Sequence, residues 1–255
     1  MHEAIYVAKA GRPGPVVVDL PKDILIAETF FDLGQKTQEK HKTYRPKIKG
    51  DNAKICEAVE LIAKAKRPLF YCGGGVINSG PKASKLLTEF VKITNYPITL
   101  TLMGLGAIPA SDKRFLGMVG MHGTFESNHA MHDCDVMINI GARFDDRVTG
   151  LLSKFSPGSK KIHVDIDPSS INKNVQVDIP IIGDCASVLA DMIKVWKSKK
   201  LRPNARAQKA WWKQIEIWRK RDCLRYRKSK ETIKTQYYLD RLQTLNKQRD
   251  TYITT

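Results

Sequence analysis

Four charged side chains follow a short apolar run near the middle of the sequence. The run extends from Val136 to Ile140 and breaks at Gly141, and the charged residues after it are Arg143, Asp145, Asp146 and Arg147. Guanidinium groups bind phosphate or carboxylate, while carboxylates hold guanidiniums in place or accept hydrogen bonds from sugar hydroxyls. The segment therefore indicates an anion-binding site at the end of a buried strand. The same residues are also compatible with a surface ion-pair cluster worth well under about 1 kcal/mol per pair.

Glycine or aspartate also follows the other predicted strands. These positions are Gly73-Gly74-Gly75, Gly104, Asp165 and Gly183-Asp184. Glycines let the backbone approach a ligand and offer N–H groups to phosphate oxygens, and an acidic residue at a strand end can accept from ribose hydroxyls. Glycine triplets also make plain turns, however, and Asp165 can open a solvated turn before Pro168. No GxGxxG follows the first strand, so the standard NAD fingerprint is absent.

Other residues that could do chemistry give weaker signals. His129 and His132 are three apart and can share a helix face, but no further ligand has suitable spacing, so no metal site is predicted. His122 lies in a glycine-flanked turn that suits contact with a cofactor. No GxSxG, P-loop or HExxH motif is present. The five cysteines form no CxxC pair, which is typical of reduced structural thiols in a cytosolic protein.

Strand and helix patterns alternate from residue 51 to residue 197. The predicted strands are "LFYC", "PITLTL" (97–102), "VMINIG", "KIHVDID" (161–167) and "IPIIGD" (179–184). The predicted helices are "AKICEAVELIAKAK", capped by Asp51-Asn52, and segments at about 81–94 and 185–197. This alternation predicts an α/β fold with a doubly wound parallel sheet, in which ligands bind outside the carboxyl ends of the strands. Before it, residues 1–10 are predicted as a helix, "VVVDL" as a buried strand and residues 32–50 as a linker.

The positive charge of the chain is concentrated at its C-terminal end. The net charge is +17, and residues 197–255 contain 18 Lys and Arg against 5 Asp and Glu, a balance of +13. Basic residues alternate there with Trp211, Trp212, Trp218 and Tyr226, a pattern that predicts an amphipathic helix whose aromatic side chains dock on a neighbour. Binding of nucleic acid by this tail is an alternative, but no RNP or zinc-finger motif supports it. No apolar run of 18 residues and no signal-peptide pattern are present, so no membrane association is expected.

Long stretches of the sequence resemble a known family. These are "GRPGPVVVDLPKDI" (11–24), "RPLFYCGGGV" (67–76), "LTLMGLGAIPASD" (100–112), "FLGMVGMHGTFESNHAMHDCDVMINIGARFDDRVTG" (115–150) and "KIHVDIDPSSINKNVQVDIPIIGD" (161–184). They are similar to the catalytic large subunit of acetolactate synthase (acetohydroxyacid synthase), and the similarity extends over nearly the whole chain. The match through "GMHGTFESN" and "GARFDDRVTG" favours this family over other thiamine enzymes such as glyoxylate carboligase or pyruvate oxidase.

The resemblance implies a function and its cofactors. The family condenses pyruvate with a second 2-keto acid, pyruvate or 2-ketobutyrate, with loss of CO2, in branched-chain amino acid biosynthesis. It uses thiamine diphosphate and Mg²⁺, and it binds FAD in its Rossmann-like central domain. The expected partners are 2-keto acid substrates, further copies in a homodimer or tetramer, and a small regulatory subunit, with no nucleic acid and no membrane. The expected location is the cytoplasm, or an organelle in a eukaryote.

The resemblance also implies domain limits. Residues 1–31 match the end of the N-terminal thiamine domain, 32–50 a linker, 51–197 the FAD-binding domain, and 198–255 a basic helical connection with the start of the C-terminal thiamine domain. No stretch matches the segment with the activating glutamate, and no GDG motif is present. The sequence is therefore interpreted as a fragment without catalytic residues or metal ligands of its own. The alternative function is that of an isolated, non-catalytic FAD-binding module.

The family's FAD contacts map onto positions from residue 12 to residue 184. Arg12 matches an FAD-contacting arginine, and the glycines beside the flavin nucleotide are matched by Gly73, Gly74 and Gly75. Positions along the FAD are matched by Thr101, Leu102, Met121, His122 and Gly123. The next wall of the site is matched by Gly141, Arg143, Asp145 and Val148.

The remaining matches concern the two ends of the site. Asp165 and Ile166 match the pair at the adenosine ribose, and Gly183 and Asp184 match the adenine end. Arg147 matches an arginine that faces the active-site entrance, where it would meet the substrate carboxylate.

Overall fold

A six-stranded parallel sheet forms the centre of the molecule in a computed structural model, which describes residues 1–30, 41–247 and 251. The strands are β1 (Pro68–Cys72), β2 (Ile98–Leu100), β3 (Phe115–Met118), β4 (Val136–Ile140), β5 (Lys160–Asp165) and β6 (Ile179–Ile182). Their order across the sheet is β3-β2-β1-β4-β5-β6, and every pairing is parallel. The predicted doubly wound α/β fold is therefore confirmed.

Ten α-helices accompany the sheet within the described part of the chain. They are α1 (His2–Lys9), α2 (Lys22–Ile26), α3 (Asn52–Lys64), α4 (Gly74–Asn78), α5 (Pro81–Thr94), α6 (Phe125–Asp133), α7 (Asp146–Thr149), α8 (Cys185–Ser198), α9 (Ala205–Arg219) and α10 (Thr235–Leu245). Short 3-10 turns span Leu102–Gly104, Leu152–Lys154 and Pro168–Ser170. Among the described residues, no helix is long and apolar enough to cross a membrane.

Helices cover both faces of the sheet, so its central strands are mostly apolar. In β1, Phe70 and Cys72 point to a core shared with helices α3, α5 and α8, while Leu69 and Tyr71 point to a second core shared with α6 and α9. Successive side chains of a strand point to opposite faces, and a strand buried on both faces is therefore apolar at nearly every position. This is why "LFYC" is a continuous apolar run and why "VMINI" is apolar except for Asn139, whose buried amide is hydrogen-bonded to Ala142.

Side-chain caps fix where several helices begin. Asp51 accepts a hydrogen bond from the Lys54 backbone N–H at the start of α3, as predicted, and Asp184 accepts from the Ser187 N–H at the start of α8. The Asn204 side chain caps α9 in the same way. Each cap satisfies an N–H that has no partner within its helix, so the helices that flank the sheet start at defined positions.

The basic tail docks on the sheet through its aromatic side chains, as predicted for its first helix. Trp211 and Trp218 of α9 are buried in the second core, and the indole N–H of Trp211 donates to the carbonyl of Pro68 over 3.0 Å. Arg219 donates to the carbonyls of Lys113 and Phe115. Helix α9 therefore belongs to the central body of the protein, whereas α10 has no buried residues.

The structure differs from the predictions in several elements. "VVVDL" is not a buried strand: residues 16–20 form no strand and are exposed, with Val17 92% exposed. A strand needs a hydrogen-bonded neighbour, and none of the six strands of the sheet pairs with this segment. Strand β3 was not predicted, and β2 is shorter than 97–102 because the chain turns into a 3-10 helix at Leu102. Of the predicted linker, residues 32–40 lie outside the described residues, and 41–50 contain no helix or strand.

Candidate functional site

A cavity of about 590 Å³ lies at the carboxyl ends of the strands, where the strand order reverses. Strand β1 has β2 on one side and β4 on the other, so the loops after β1 and β4 leave the sheet in opposite directions. This switch point is the position at which open parallel sheets bind ligands. The volume lies in the range of small-molecule and cofactor sites.

Glycines allow the loops after β1 and β4 to touch through their backbones. The Gly75 N–H donates to the Gly141 carbonyl over 2.9 Å, and a Cβ on Gly75 would lie 2.7 Å from the Gly141 Cα. Gly141 has a φ of +62°, a left-handed conformation that favours glycine. The strand therefore ends at Gly141 because the loops after β1 and β4 cross here in direct backbone contact. Only glycines at positions 75 and 141 leave room for this contact.

A buried amide holds the turn that follows. The Asn139 side chain donates to the carbonyl of Ala142 over 2.6 Å and accepts from the Ala142 N–H over 3.1 Å. Since Ala142 immediately precedes Arg143, this side chain fixes the direction in which the charged segment leaves β4. The sequence pattern gave no sign of this role because Asn139 lies inside an apolar run.

Three arginines line the cavity, and two of them are held by carboxylates. Arg12 Nη1 donates to Asp167 Oδ2 over 3.1 Å, and Arg143 Nη2 donates to Asp145 Oδ2 over 2.9 Å. Arg147 is exposed, and its guanidinium makes no hydrogen bond or ion pair with the part of the chain that the structure describes. The cavity therefore has two oriented cations and a third that is available to a ligand.

A buried carboxylate lies at the end of β5. Asp165 is 7% exposed and lines the cavity, and its Oδ1 accepts from the Asp167 backbone N–H over 2.9 Å. Burial raises the pKa of Asp167, but hydrogen bonds from Ser169 and Arg12 outweigh it, and the net pKa lies below its ordinary value. Asp167 is therefore an ionised acceptor for Arg12, and Asp165 is a buried acceptor in the wall of the same cavity.

The rest of the lining is mostly apolar. Leu102 and Met103 follow β2, Met121 follows β3, and Val148 lies on α7. Tyr71 contributes its ring from β1, and its hydroxyl donates to the carbonyl of Arg143 over 3.2 Å. A cavity with an apolar body and a few fixed polar groups is typical of sites for large organic cofactors.

Most of the predicted site residues converge on this one cavity. Those that line it are Arg12, Gly74, Gly75, Thr101, Leu102, Met121, His122, Gly141, Arg143, Asp145, Arg147, Val148, Asp165, Ile166 and Asp184. Three do not line it, namely Gly73, Gly123 and Gly183. Added Cβ atoms there would lie 2.6 Å from the Gly141 carbonyl, 2.5 Å from the Met118 carbonyl and 2.8 Å from the Val188 side chain, respectively. These glycines are needed for close packing around the cavity.

Several residues of the site were not predicted from the sequence, and four of them are the most informative. Asp167, Tyr71, Asn139 and Cys185 hold or line the cavity. Asp167 carried a usable signal, because it lies two residues after Asp165 and directly before Pro168. The other three occur in apolar or helix-start positions and had none.

Other candidate chemical groups have structural roles. His129, considered as a metal ligand, lies between the Phe125 ring at 4.1 Å and the Trp218 ring at 5.4 Å. No group of three or more His, Cys, Asp or Glu among the described residues could hold a metal ion. All five cysteines are free, and burial raises the pKa of the Cys134 thiol to about 11. Cys72, Cys134 and Cys185 are buried, as expected of structural thiols, whereas Cys223 is exposed.

Comparison with known proteins identifies the family. Residues 55–192, more than half of the chain, match the family model described as thiamine pyrophosphate enzyme, central domain. The chain belongs to the thiamine pyrophosphate enzyme family. Every residue that lines the cavity, except Gly11, Arg12 and Pro13, falls inside the matched segment. The cavity is therefore a feature of the central domain of this family member, to which residues near the N-terminus contribute.

Similar proteins from bacteria extend this match to the whole chain. The chain is 42% identical over 254 residues to the acetolactate synthase isozyme 3 large subunit of Escherichia coli (strain K12). This alignment covers 100% of the chain and 44% of that protein. It is 40% identical to the acetolactate synthase large subunit of Haemophilus influenzae, over 97% of the chain and 43% of that protein. It is 39% identical to an acetolactate synthase of Mycobacterium leprae, over 95% of the chain and 38% of that protein. This family member is thus a homologue of acetolactate synthase large subunits, and it spans less than half of their length.

Proposed function

We propose that this chain is the FAD-binding part of an acetolactate synthase catalytic subunit, and that the cavity at the switch point is its flavin site. The observation that carries the proposal is the position of Arg12. It comes from a segment far from the sheet in sequence, yet it reaches the same cavity as Arg143 and Asp165. Similarity of sequence alone does not require these three residues to meet.

The residues of the cavity fit FAD by their chemistry. A flavin dinucleotide needs cations for its diphosphate, acceptors for its ribose hydroxyls and apolar surface for its ring system. Arg12 and Arg143 supply oriented cations, and Asp165 supplies a buried acceptor. A Cβ on Gly74 would lie 3.1 Å from the Met103 Cβ, so this glycine keeps the cavity wall open.

In this proposal each group has a definite task. Arg12 and Arg143 bind the phosphates, and their partners Asp167 and Asp145 orient the guanidiniums before the ligand arrives. Asp165 and Ile166 contact the adenosine ribose, and Asp184 contributes at the adenine end. Asp184 also caps helix α8 and accepts from the Ser79 hydroxyl, so its carboxylate is fixed in place.

Arg147 serves the substrate side. Its guanidinium is exposed and unpaired among the described residues, so it is available for the carboxylate of a 2-keto acid. The FAD undergoes no net redox change in the condensation and has a structural task. Thiamine diphosphate, held with Mg²⁺ by other parts of the complete enzyme, supplies the carbanion stabilisation that decarboxylation of pyruvate needs.

The whole protein would then be larger than this chain. Residues 1–31 would complete an N-terminal thiamine domain, 51–197 form the flavin domain, and 198–255 lead into a C-terminal thiamine domain. The complete enzyme would condense pyruvate with pyruvate or 2-ketobutyrate as a homodimer or tetramer in the cytoplasm, or in an organelle of a eukaryote. Because the two relatives from E. coli and H. influenzae are named large subunits, a small regulatory subunit is the proposed further partner.

Flavin binding is the direct test. FAD is titrated into the purified 255-residue chain, and flavin fluorescence and calorimetry report binding. Saturable binding with one FAD per chain is expected. A folded chain, as judged by circular dichroism, that leaves flavin fluorescence unchanged would refute the proposal.

Turnover tests whether the 255-residue chain is catalytic without further parts of the protein. Pyruvate is supplied with thiamine diphosphate, Mg²⁺ and FAD, and acetolactate is measured. Acetolactate formation by the 255-residue chain would refute the module. Flavin binding without turnover is expected if the catalytic groups belong to parts of the protein outside this sequence.

A further inference from the structure

His163 is a buried imidazole on the same strand as the cavity carboxylate Asp165. It lies two residues before Asp165 on β5, so the alternation of the strand places both side chains on one face of the sheet. Its side chain is 0% exposed, and its ring packs edge-on against Phe144, with ring centroids 5.2 Å apart. It is therefore shielded from water just inside the cavity wall that Asp165 forms.

The hydrogen-bonding state of His163 is unusual for a buried group. Neither Nδ1 nor Nε2 has a hydrogen-bond partner, and no other buried side-chain nitrogen or oxygen in residues 1–30, 41–247 and 251 lacks one. Buried polar groups are almost always paired, and leaving one unpaired costs about 1–3 kcal/mol. An unpaired imidazole at this position therefore calls for a function.

The neighbouring polar groups are already engaged, with one exception. Asn139, paired with His163 in register across β4 and β5, uses its amide on Ala142. The Tyr71 hydroxyl donates to the Arg143 carbonyl. Asp165 uses Oδ1 to accept from the Asp167 N–H, while its Oδ2 lies 3.7 Å from His163 Nε2. That separation is too long for a hydrogen bond but leaves no room for another group between them.

We propose that His163 is a positioning residue of the nucleotide site. In the liganded site its Nε2–H donates to Oδ2 of Asp165, and the carboxylate is thereby fixed for the two hydroxyls of an adenosine ribose. Asp165 is then held from both sides, by the Asp167 N–H on Oδ1 and by His163 on Oδ2. Its remaining lone pairs accept from the ribose diol. The proposal rests on the proposed function, because it assigns the ribose of FAD to Asp165.

The ligand class follows from the geometry of the carboxylate. An aspartate with one oxygen on the backbone and one on an imidazole cannot rotate to accommodate a phosphate, which it would also repel. It can accept two hydrogen bonds from neighbouring hydroxyl groups. The end of the cavity at Asp165 therefore selects a ribose with both hydroxyls present.

The test compares variants of His163 that keep or remove the donor. His163→Phe and His163→Leu remove it and keep an apolar filling, whereas His163→Gln retains an N–H near the position of Nε2. Each 255-residue variant is checked by near-ultraviolet circular dichroism and titrated with FAD. A second titration uses a flavin adenine dinucleotide whose adenosine ribose lacks the 2′- and 3′-hydroxyls.

The donor-free variants are expected to bind FAD about tenfold more weakly than the wild type, and His163→Gln within about threefold of it. With the dideoxy ligand the difference between wild type and variants should disappear. Wild-type affinity in either donor-free variant, no rescue by glutamine, or an undiminished difference with the dideoxy ligand would each overturn the inference and leave the flavin site standing. Failure of the wild type to bind FAD would instead remove the proposed function together with the inference.

Discussion

Arg12 and Asp167 lie 155 positions apart in the sequence and form an ion pair of 3.1 Å at the edge of the cavity. The pair joins the loop after helix α1 to the turn after strand β5. The Tyr44 hydroxyl supports the same loop, since it donates to the Ala10 carbonyl over 3.2 Å. The segment before the sheet is thus held at the cavity by specific polar contacts.

Asp167→Asn should loosen Arg12 and weaken FAD binding about fivefold. The pair is partly exposed, with Arg12 46% exposed, and such pairs contribute less than about 1 kcal/mol. Glu57→Gln is the matched control, because it removes the carboxylate of the exposed Lys54–Glu57 pair of 2.9 Å, which is remote from the cavity. Equal FAD affinities of Asp167→Asn and the control would contradict the prediction.

The same pair predicts a pH dependence of stability. The pKa of Asp167 lies below its ordinary 3.8 because hydrogen bonds from Ser169 and Arg12 outweigh the effect of burial. The ionised carboxylate therefore stabilises the fold above pH 3.8, and this contribution is lost as the pH falls through the lowered pKa. Urea unfolding of wild type and Asp167→Asn should give a difference at neutral pH that vanishes in acid. A difference that grows on acidification would show that the sign is wrong.

Arg143→Ala should weaken FAD binding more than Asp167→Asn does, by about tenfold or more. The variant removes a guanidinium proposed to bind the phosphates directly, and charge-assisted hydrogen bonds contribute about 1.5–3 kcal/mol. Lys54→Ala removes a similarly exposed, carboxylate-paired cation of helix α3 and should bind FAD like the wild type. Titration with FAD at rising salt concentration should reduce the difference in FAD affinity between the two variants, because screening weakens the contacts of Arg143 with the phosphates. Equal FAD affinities of the two variants at low salt would show that Arg143 does not bind the FAD phosphates.

The central body of the protein was predictable because its signals are local. The runs "LFYC" and "VMINI", the cap at Asp51 and the alternation from 51 to 197 each follow from burial or hydrogen bonding of neighbouring residues. "VVVDL" misled the prediction because β-branched composition indicates that a strand is favourable but not that a partner lies beside it. Strand β3, "FLGM", was missed because only one of its four residues is fully buried and a glycine interrupts it.

The candidate site was predictable in part, for a related reason. Residues that end strands, such as Arg143 and Asp165, can be placed near one another once a parallel sheet is assumed. The contacts that fix the loops around them cannot be predicted, because the ion pair of Arg12 with Asp167 and the hydrogen bonds of the Asn139 amide to Ala142 depend on loop geometry. The unpaired state of His163 is likewise visible only in three dimensions, since it depends on everything that packs around the ring.

Gly141→Ala should destabilise the fold by at least about 2 kcal/mol. Its φ of +62° disfavours a side chain, and the added Cβ would lie 2.7 Å from the Gly75 Cα and 2.9 Å from the Cys185 sulfur. Gly158→Ala is the control, because a Cβ there meets nothing within 4 Å and the φ lies outside the left-handed region. Thermal or urea unfolding measures both variants. Comparable stability of the two would mean that the crossing of the β1 and β4 loops tolerates a side chain.

The docking of helix α9 is tested by two neighbouring tryptophans. Trp211 and Trp212 each donate from the indole N–H to a backbone carbonyl over 3.0 Å, Trp211 to Pro68 and Trp212 to Asn95. Phenylalanine removes the donor in both cases, but Trp211 is 2% exposed and its carbonyl partner would be left unpaired away from water. Trp211→Phe should therefore cost about 1–3 kcal/mol in the free energy of unfolding, and Trp212→Phe less than about 1 kcal/mol, because water can replace the lost donor at Asn95. Urea unfolding measures both costs. A cost for Trp212→Phe that equals or exceeds that of Trp211→Phe would show that the helix is held by its partly exposed edge rather than by the indole buried against β1.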